Sequence, residues 1–262
     1  MKLLVKLGGA LLDTPASREA LAEQIAGARL RGLDIAVVHG GGKQMTRYLA
    51  ERGVESRFVN GLRVTSPETI DAVLKVFAGS VNHELVASLN RAGALAVGLT
   101  GIDALLAEAE QMDPELGAVG RVVRSDTALL DLLVTNRYLP VVACVAGDRG
   151  GNIYNVNADQ MAVACAAAFE ADELIFLTDV QGVLDAARAV RPLLTARESR
   201  QLIADGVATG GMQAKLDAAI SALEGGVGSV RIAPGASAGV LARLLAGEAI
   251  GTRIVLAEGR AT

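Results

Sequence analysis

The chain has 262 residues, 51% of them hydrophobic, with no Trp, three Tyr, four Phe and a formal net charge of −4. That length can hold one large α/β domain or two small ones, and the aliphatic excess suits buried parallel strands under Ala/Leu helices. Scarce aromatics argue against a base-stacking platform, and the negative charge argues against a non-specific polyanion binder. No apolar run approaches the ~18 residues needed to span a bilayer. Met1 to Leu7 begins like a secretion signal, but Lys6 interrupts it and glycines follow. Cys144 and Cys165 both lie in apolar runs, which predicts buried thiols rather than a disulfide framework. A cytoplasmic protein with neither a nucleic-acid nor a membrane partner is expected.

Residues 3–7 read as a first strand ending in Gly8-Gly9. Lys6 is unusual inside a buried strand, and reads either as a snorkelling edge lysine or as a functional cation. Residues 16–31 place Leu21, Ile25 and Ala28 at helical spacing and stop at Gly32. Residues 34–39 form the second strand, which runs into His39-Gly40-Gly41-Gly42-Lys43 and a new helix. Glycines let backbone N–H groups approach an anion closely, and a helix N-terminus adds unpaired donors and a positive dipole end. The stretch therefore reads as a phosphate or carboxylate cradle. It is not a P-loop, because Gln44 follows Lys43 and Val37 occupies the first glycine position. The β-α-β order makes the two strands parallel, so both glycine turns lie at one sheet edge, where ligands bind in such folds.

The helix over 44–52 ends at Gly53. Residues 58–65 predict a hairpin with Asn60-Gly61 near its turn. Arg63 reads either as a solvated cation or as a bidentate carboxylate clamp. Ser66-Pro67-Glu68 starts a helix by its cap, its proline and its acid, and that helix is expected to end near Gly79, with another over 81–92. Residues 94–99 form a third strand, ending in Thr100-Gly101-Ile102-Asp103. An arm of a hairpin over 117–124, a helix over 126–137 and a buried strand over 140–145 follow. After a polar turn over 147–151, Tyr154-Asn155-Val156-Asn157-Ala158-Asp159 opens an Ala-rich helix over 158–170. A cap at Asn157 and a dipole partner at Asp159 account for two of its three polar residues. Residues 173–177 form a fifth strand ending in Thr178-Asp179-Val180-Gln181-Gly182-Val183-Leu184. Residues 191–206 hold a loop and a helix, and Thr209-Gly210-Gly211-Met212 opens a helix bearing Lys215. Strands over 229–233 and 251–255 close the chain. With no repeat or linker, the pattern predicts a single continuous sheet.

In order, Lys6-Leu7-Gly8-Gly9, His39-Gly40-Gly41-Gly42, Asn60-Gly61-Leu62-Arg63-Val64-Thr65, Asn155-Val156-Asn157-Ala158-Asp159, Leu177-Thr178-Asp179-Val180-Gln181-Gly182-Val183-Leu184, Gly211-Met212 with Lys215, and Gly251-Thr252 stand along the chain. Together they resemble the amino-acid kinase family, and within it the members that phosphorylate N-acetyl-L-glutamate. The resemblance spans nearly the whole chain. It implies an α/β three-layer sandwich, a mainly parallel central sheet with helices on both faces. It implies one domain, residues 1–262, with an acceptor-substrate lobe over about 1–175 and a nucleotide lobe over about 176–262. It further implies transfer of the ATP γ-phosphoryl to the side-chain carboxylate of N-acetyl-L-glutamate, in arginine biosynthesis. Lys6 and Lys215 are then catalytic, with Asp159 holding them in register. Gly41, Gly42, Arg63 and Asn155 bind the substrate. Gly8 and Gly9 give N–H groups to the phosphoryl group, and Asp179, Gly182, Leu184, Gly211 and Met212 line the ATP site. Mg²⁺ is carried mainly by the nucleotide phosphates. Lys43 matches no functional position of the family. A carboxylate acceptor is anionic at neutral pH and needs no general base; the demand is for charge screening and for donors to a loose transition state.

Some stretches depart from the family pattern. After Thr100-Gly101 many members carry a lysine and glycines, where this chain has Ile102, Asp103, Ala104 and Leu105; residues 185–192 are short and apolar where relatives carry a polar loop. The chain also starts at its first strand, whereas arginine-inhibited relatives carry an extra amino-terminal helix, so a homodimer without arginine feedback by that route is expected. The competing readings are a kinase of the same fold for another acyl acceptor (carrier-bound aminoadipate or glutamate, or free glutamate) and a non-catalytic ligand-binding sensor.

Overall fold

Two parallel strands, β1 (Lys2–Leu7) and β2 (Asp34–His39), start the architecture in register, with Leu7 opposite His39. The computed structural model describes residues 1–257. Between the strands lies α1 (Pro15–Leu30). Thr14 caps it by accepting from the Ser17 amide, Ser17 caps back, and Pro15 sits at the first helical position. Then come α2 (Gly42–Ala50) and the hairpin β3 (Phe58–Val59) and β4 (Leu62–Arg63). Asn60 and Gly61 take φ of 49° and 78°, the conformation a two-residue hairpin turn requires.

The break expected near Gly79 does not exist. α3 (Pro67–Val73) runs through a π-helical segment, Leu74–Val81, directly into α4 (Asn82–Arg91). Helix-ending glycines such as Gly32, Gly53 and Gly93 turn to positive φ; Gly79 does not, and the helix continues through it. After α4 follow β5 (Ala96–Thr100), β6 (Ala107–Gln111), β7 (Val119–Ser125), α5 (Ala128–Thr135), β8 (Leu139–Ala143), β9 (Val145–Gly147) and β10 (Ile153–Val156). The remainder is α6 (Ala158–Ala168), β11 (Glu173–Thr178), β12 (Leu193–Thr195), α7 (Ala196–Ala204), α8 (Gly210–Glu224), β13 (Ser229–Pro234), α9 (Val240–Leu245) and β14 (Thr252–Val255).

Eight strands form the central sheet in the order β12-β14-β13-β11-β1-β2-β8-β5, parallel throughout except between β13 and β14. One helical layer packs α1 with α4 and α9; another packs α6 with α8, and α8 with α7. The sheet runs unbroken through β11, which pairs with both β1 and β13. The buried sides of β1, β2, β8 and β11 form the core, including Leu3, Leu4, Val37, Val141 and Phe176.

The single sheet expected from the sequence is accompanied by a second one. Strands β10, β7, β6 and β9 close into a small barrel. β6 reads Ala-Glu-Ala-Glu-Gln, with Ala107 and Ala109 buried and the glutamates turned outward. The period-2 signal is present, but Ala and Glu are poor strand formers, so propensity hides it. Pairing with β7 and β9 makes it a strand.

Candidate active site

Parallel strands deliver their carboxyl ends to one edge, and the site is built there. Lys6, in β1, is 7% exposed. Its Nζ lies 2.6 Å from Asp159 Oδ1, a close ion contact not aligned as a hydrogen bond. Lys215, in the second turn of α8, donates to Asp159 Oδ2 at 3.2 Å. One carboxylate thus holds two ammonium groups brought in from opposite parts of the chain. Asn157 caps α6 by accepting from the amides of Asp159 and Gln160 at 2.9 and 3.2 Å. With the cap supplied there, the Asp159 side chain is free to reach the lysines. Burial alone would raise the Asp159 carboxyl; the charges of Lys6 and Lys215 outweigh it and hold the group below the usual carboxylate range. Two cations on one anion leave a net positive charge at the strand ends, suited to a phosphoryl group. Nearby, burial pushes the Cys144 thiol up to about 12, so it is an inert core residue despite its proximity to Lys6. Both cysteines are free and buried.

The two glycine turns lie against each other: a Cβ on Gly9 would sit 3.3 Å from the Gly42 nitrogen. The expectation for Gly8 needs correction. Its amide donates to Leu177 O at 3.0 Å, completing the ladder to β11, and is therefore not free for a phosphoryl group. Gly41 precedes α2 with no side chain to cap it, so the first amides of that helix have no side-chain acceptor, an arrangement suited to an anion. Gly41 has a steric reason to be glycine, since a Cβ would lie 2.8 Å from Phe77 Cδ1; the Cβ position of Gly42 faces open space. Lys43 is exposed on α2.

Arg63 joins this turn from β4. Its Nη2 donates to Gly42 O at 3.1 Å and to Thr46 Oγ1 at 2.8 Å, Nη1 donates to Ser56 Oγ, and the guanidinium sits 4.6 Å from the centroid of the Phe58 ring. It is 8% exposed, and burial lowers its pKa. Every partner is neutral, so a buried cation stands beside the α2 N-terminus without a protein carboxylate among the described residues. Asn155, in β10, donates to Thr65 Oγ1 at 3.0 Å, and Thr65 Oγ1 donates to Arg63 O at 2.8 Å. The structure therefore brings Gly41, Gly42, Arg63 and Asn155 into one neighbourhood.

The residues expected at the nucleotide are more dispersed. Asp179 is exposed, accepting from Thr178 Oγ1 at 3.0 Å. Gly182 is buried, and a Cβ there would meet Thr252 Oγ1 at 2.8 Å, which gives the glycine a packing reason. The Val183 amide donates to Thr252 Oγ1 at 2.8 Å and fastens this turn to β14. Leu184 is exposed and bridges Val190. Gly211 and Met212 lie in the first turn of α8, after Thr209, whose side chain makes no cap bond. A cleft of about 1040 Å³ runs beside Asp159, Lys215 and Gly211, but Asp179, Gly182, Leu184 and both glycine turns lie outside its lining. Its far wall is the hairpin tip Asn60, Gly61 and Leu62, together with Arg121 of β7. Neither the Asn60-Gly61 turn nor Arg121, in the expected hairpin arm over 117–124, carries a local sequence signal of the cleft it faces.

The pattern of the amino acid kinase family matches residues 1–234. The chain is 75% identical over 257 residues to an acetylglutamate kinase of Solibacter usitatus, covering 98% of this chain and all of that one. It is 46% identical over 243 residues to an acetylglutamate kinase of Acidobacterium capsulatum, covering 92% and 94%. Among solved structures, the N-acetylglutamate synthase of Neisseria gonorrhoeae, complexed with coenzyme A and N-acetyl-glutamate, superposes with a TM-score of 0.88 at 25% identity; the match covers 99% of this chain and 60% of the synthase. On this span of similarity, with two lysines meeting one aspartate at the carboxyl edge of a parallel sheet, the chain belongs to the amino acid kinase family.

Proposed function

We propose that this chain transfers the γ-phosphoryl group of ATP to the side-chain carboxylate of N-acetyl-L-glutamate, forming an acyl phosphate on the route to arginine. The observation that carries the reading is Asp159 between Lys6 and Lys215, next to the glycine turns and to a buried Arg63 that has no protein anion among the described residues. The relatives named acetylglutamate kinase support the substrate. The attacking carboxylate is already ionised at neutral pH, so the protein's task is to bring two anions together. Lys6 and Lys215 screen them and stabilise the charge that spreads over the equatorial oxygens, a contribution worth ~10²–10³ in rate for each well-placed group. Asp159 sets the spacing of the two ammonium groups. The amides of Gly9, Gly41 and Gly42 donate to the acceptor carboxylate and the phosphoryl group. Gly8 acts only by anchoring that turn to β11. Arg63 clamps the α-carboxylate, and Asn155 meets the substrate's amide region.

ATP lies along Asp179, Gly182, Leu184, Gly211 and Met212, in the lobe built from about residue 176 onward. Among the described residues no group of three or more His, Cys, Asp or Glu gathers as a metal cage, and both Asp159 oxygens already face lysines. That donor set fits Mg²⁺ arriving on the nucleotide, where it would neutralise phosphate charge. No helix among the described residues is long and apolar enough to cross a membrane. The working form proposed is a cytoplasmic homodimer, which light scattering on purified protein tests directly.

The catalytic test is ATP turnover with hydroxylamine as the trap for acyl phosphate. Hydroxamate should form with N-acetyl-L-glutamate. Hydroxamate only with another acceptor would overturn the substrate assignment, and none with any acceptor would favour a sensor. The loop after β5 holds no lysine, so no cation from that loop serves the acceptor; Asp103 instead turns back to accept from the Thr100 amide and hydroxyl at 2.6 and 2.9 Å.

A further inference from the structure

The last residue of β2, His39, is fully buried immediately before the glycine turn. Its Nδ1 lies 2.8 Å from Gly40 O, and its Nε2 lies 3.0 Å from Asn82 Nδ2. A carbonyl oxygen only accepts, so the proton sits on Nδ1, and Nε2 must accept. Asn82, itself 2% exposed, supplies that hydrogen, and its Nδ2 also donates to Val141 O at 3.0 Å. His39 Nε2, Val141 O and, at 3.5 Å, Leu99 O are all acceptors on this side of the amide, so this end is the nitrogen, and the two shorter contacts take its hydrogens. The Asn82 carboxamide fits only because β5 has a glycine there: a Cβ on Gly98 would collide with Asn82 Oδ1. Burial pushes the His39 pKa down to about 4, so the ring is neutral at pH 7.

The π-helical segment explains how Asn82 reaches this position. A π-turn widens the helix by an extra residue per turn, and such segments concentrate at functional sites. Leu74–Val81 ends directly at Asn82. The same segment places Phe77 and Val81 against Gly41. It therefore grips the glycine turn twice, once by packing and once through a hydrogen-bond relay.

We propose that Asn82 is a positioning residue for the reaction: it locks His39 in the Nδ1–H tautomer, and His39 holds the Gly40 carbonyl so that the Gly41 amide points at the acceptor carboxylate. The mechanical link is the peptide unit itself. Gly40 C=O and Gly41 N–H belong to one planar trans peptide and point in opposite directions, so holding the oxygen aims the hydrogen. The Gly41 amide has no acceptor among the described residues, as a group reserved for a ligand requires. This inference rests on the proposed acceptor site, and the test separates the two.

The test combines nitrogen NMR with kinetics. The chain has only two histidines, so His83→Gln leaves His39 as the single ring signal. In that otherwise wild-type protein at pH 7 we expect a neutral ring with Nδ1 protonated and Nε2 bare; an Nε2–H tautomer or an imidazolium overturns the proposal without any change at Asn82. Asn82→Asp puts an acceptor-only carboxylate opposite Nε2. We expect the His39 tautomer to change, the Gly41 amide resonance to move in the ligand-free protein, kcat to fall at least ~10-fold, and the KM for ATP to stay within about twofold. A changed tautomer with kcat within about twofold of wild type overturns the positioning role. If Asn82→Asp does not fold, Asn82→Ser, smaller and neutral, is carried through the same measurements with the same criteria. Absence of acyl phosphate from the wild type with N-acetyl-L-glutamate would defeat the functional reading alone, since the tautomer and the Gly41 resonance are read without substrate.

Discussion

The turn after β2 and the turn after β11 leave the same sheet edge but are held differently. The first is gripped from every side. His39 binds Gly40 O, Phe77 lies over Gly41, Arg63 binds Gly42 O, and Asn82 fixes His39. The second is fastened mainly through one side chain, Thr252, with Gly182 packed against it and the Val183 amide donating to its Oγ1, and its Asp179 and Leu184 face solvent. One side is a preorganised cradle of buried polar groups, and the other is an open rim. Preorganised donors cost no reorganisation when charge develops, which is where a phosphoryl-transfer site needs them. The looser rim is where the nucleotide is proposed to lie, and a nucleotide with many contacts of its own would tolerate it.

Perturbing both turns should reveal the contrast. The largest effect is expected where the halves meet. Lys215→Ala should lower kcat by at least ~10² with little change in ATP affinity, as for an interaction made mostly in the transition state. Steady-state kinetics reads this directly, and a near-normal kcat would remove Lys215 from the chemistry. Next comes acid sensitivity of the gripped turn. Folding holds His39 at about 4, below its unfolded value. The unfolded chain therefore binds the extra proton in that interval, so stability rises with pH across it. The contribution is complete above the unfolded pKa of about 6.5, fades as pH falls toward the folded value, and totals roughly 3 kcal/mol. Denaturant titrations across that interval should show the slope, and His39→Gln should flatten it.

Smaller is the effect of Arg63→Ala, where loss of a charged hydrogen-bonding partner should cost about 2 kcal/mol in acceptor binding. We expect the KM for N-acetyl-L-glutamate to rise roughly 30-fold with kcat less affected. An unchanged KM would take Arg63 out of the cradle. The smallest effect is expected on the open rim. Asp179→Ala removes a solvent-exposed group, and the KM for ATP should rise only about threefold, since screened contacts at exposed sites are weak. A loss as large as that of Lys215→Ala would show the rim to be as tightly built as the cradle, and would erase the contrast.

Much of this was legible in local sequence. Ser66 with Pro67, and Asn157 before Ala158, each mark a helix start that forms as expected. Asn60-Gly61 marks its hairpin, and the glycine runs mark the turns at strand ends. Gly79 misled, because a glycine ends a helix only where the chain turns to positive φ, and a continuing π-helical segment removes that need. The barrel was hidden because β6 is made of poor strand formers, and its partners lie elsewhere in the chain.

The sequence by itself determined which residue types stand at the strand ends, the alternation of strand and helix, and the glycine turns, because capping, turn chemistry and hydrophobic periodicity act over a few neighbouring residues. Only the tertiary structure decided which of those groups meet. Asp159 and Lys215 are 56 residues apart, and Asn82 and His39 are 43 apart. Gly8 looked like a free donor until Leu177, on another strand, took its amide. Such pairings depend on strand order and on the packing of whole helices against the sheet, so no stretch of sequence around either partner contains them.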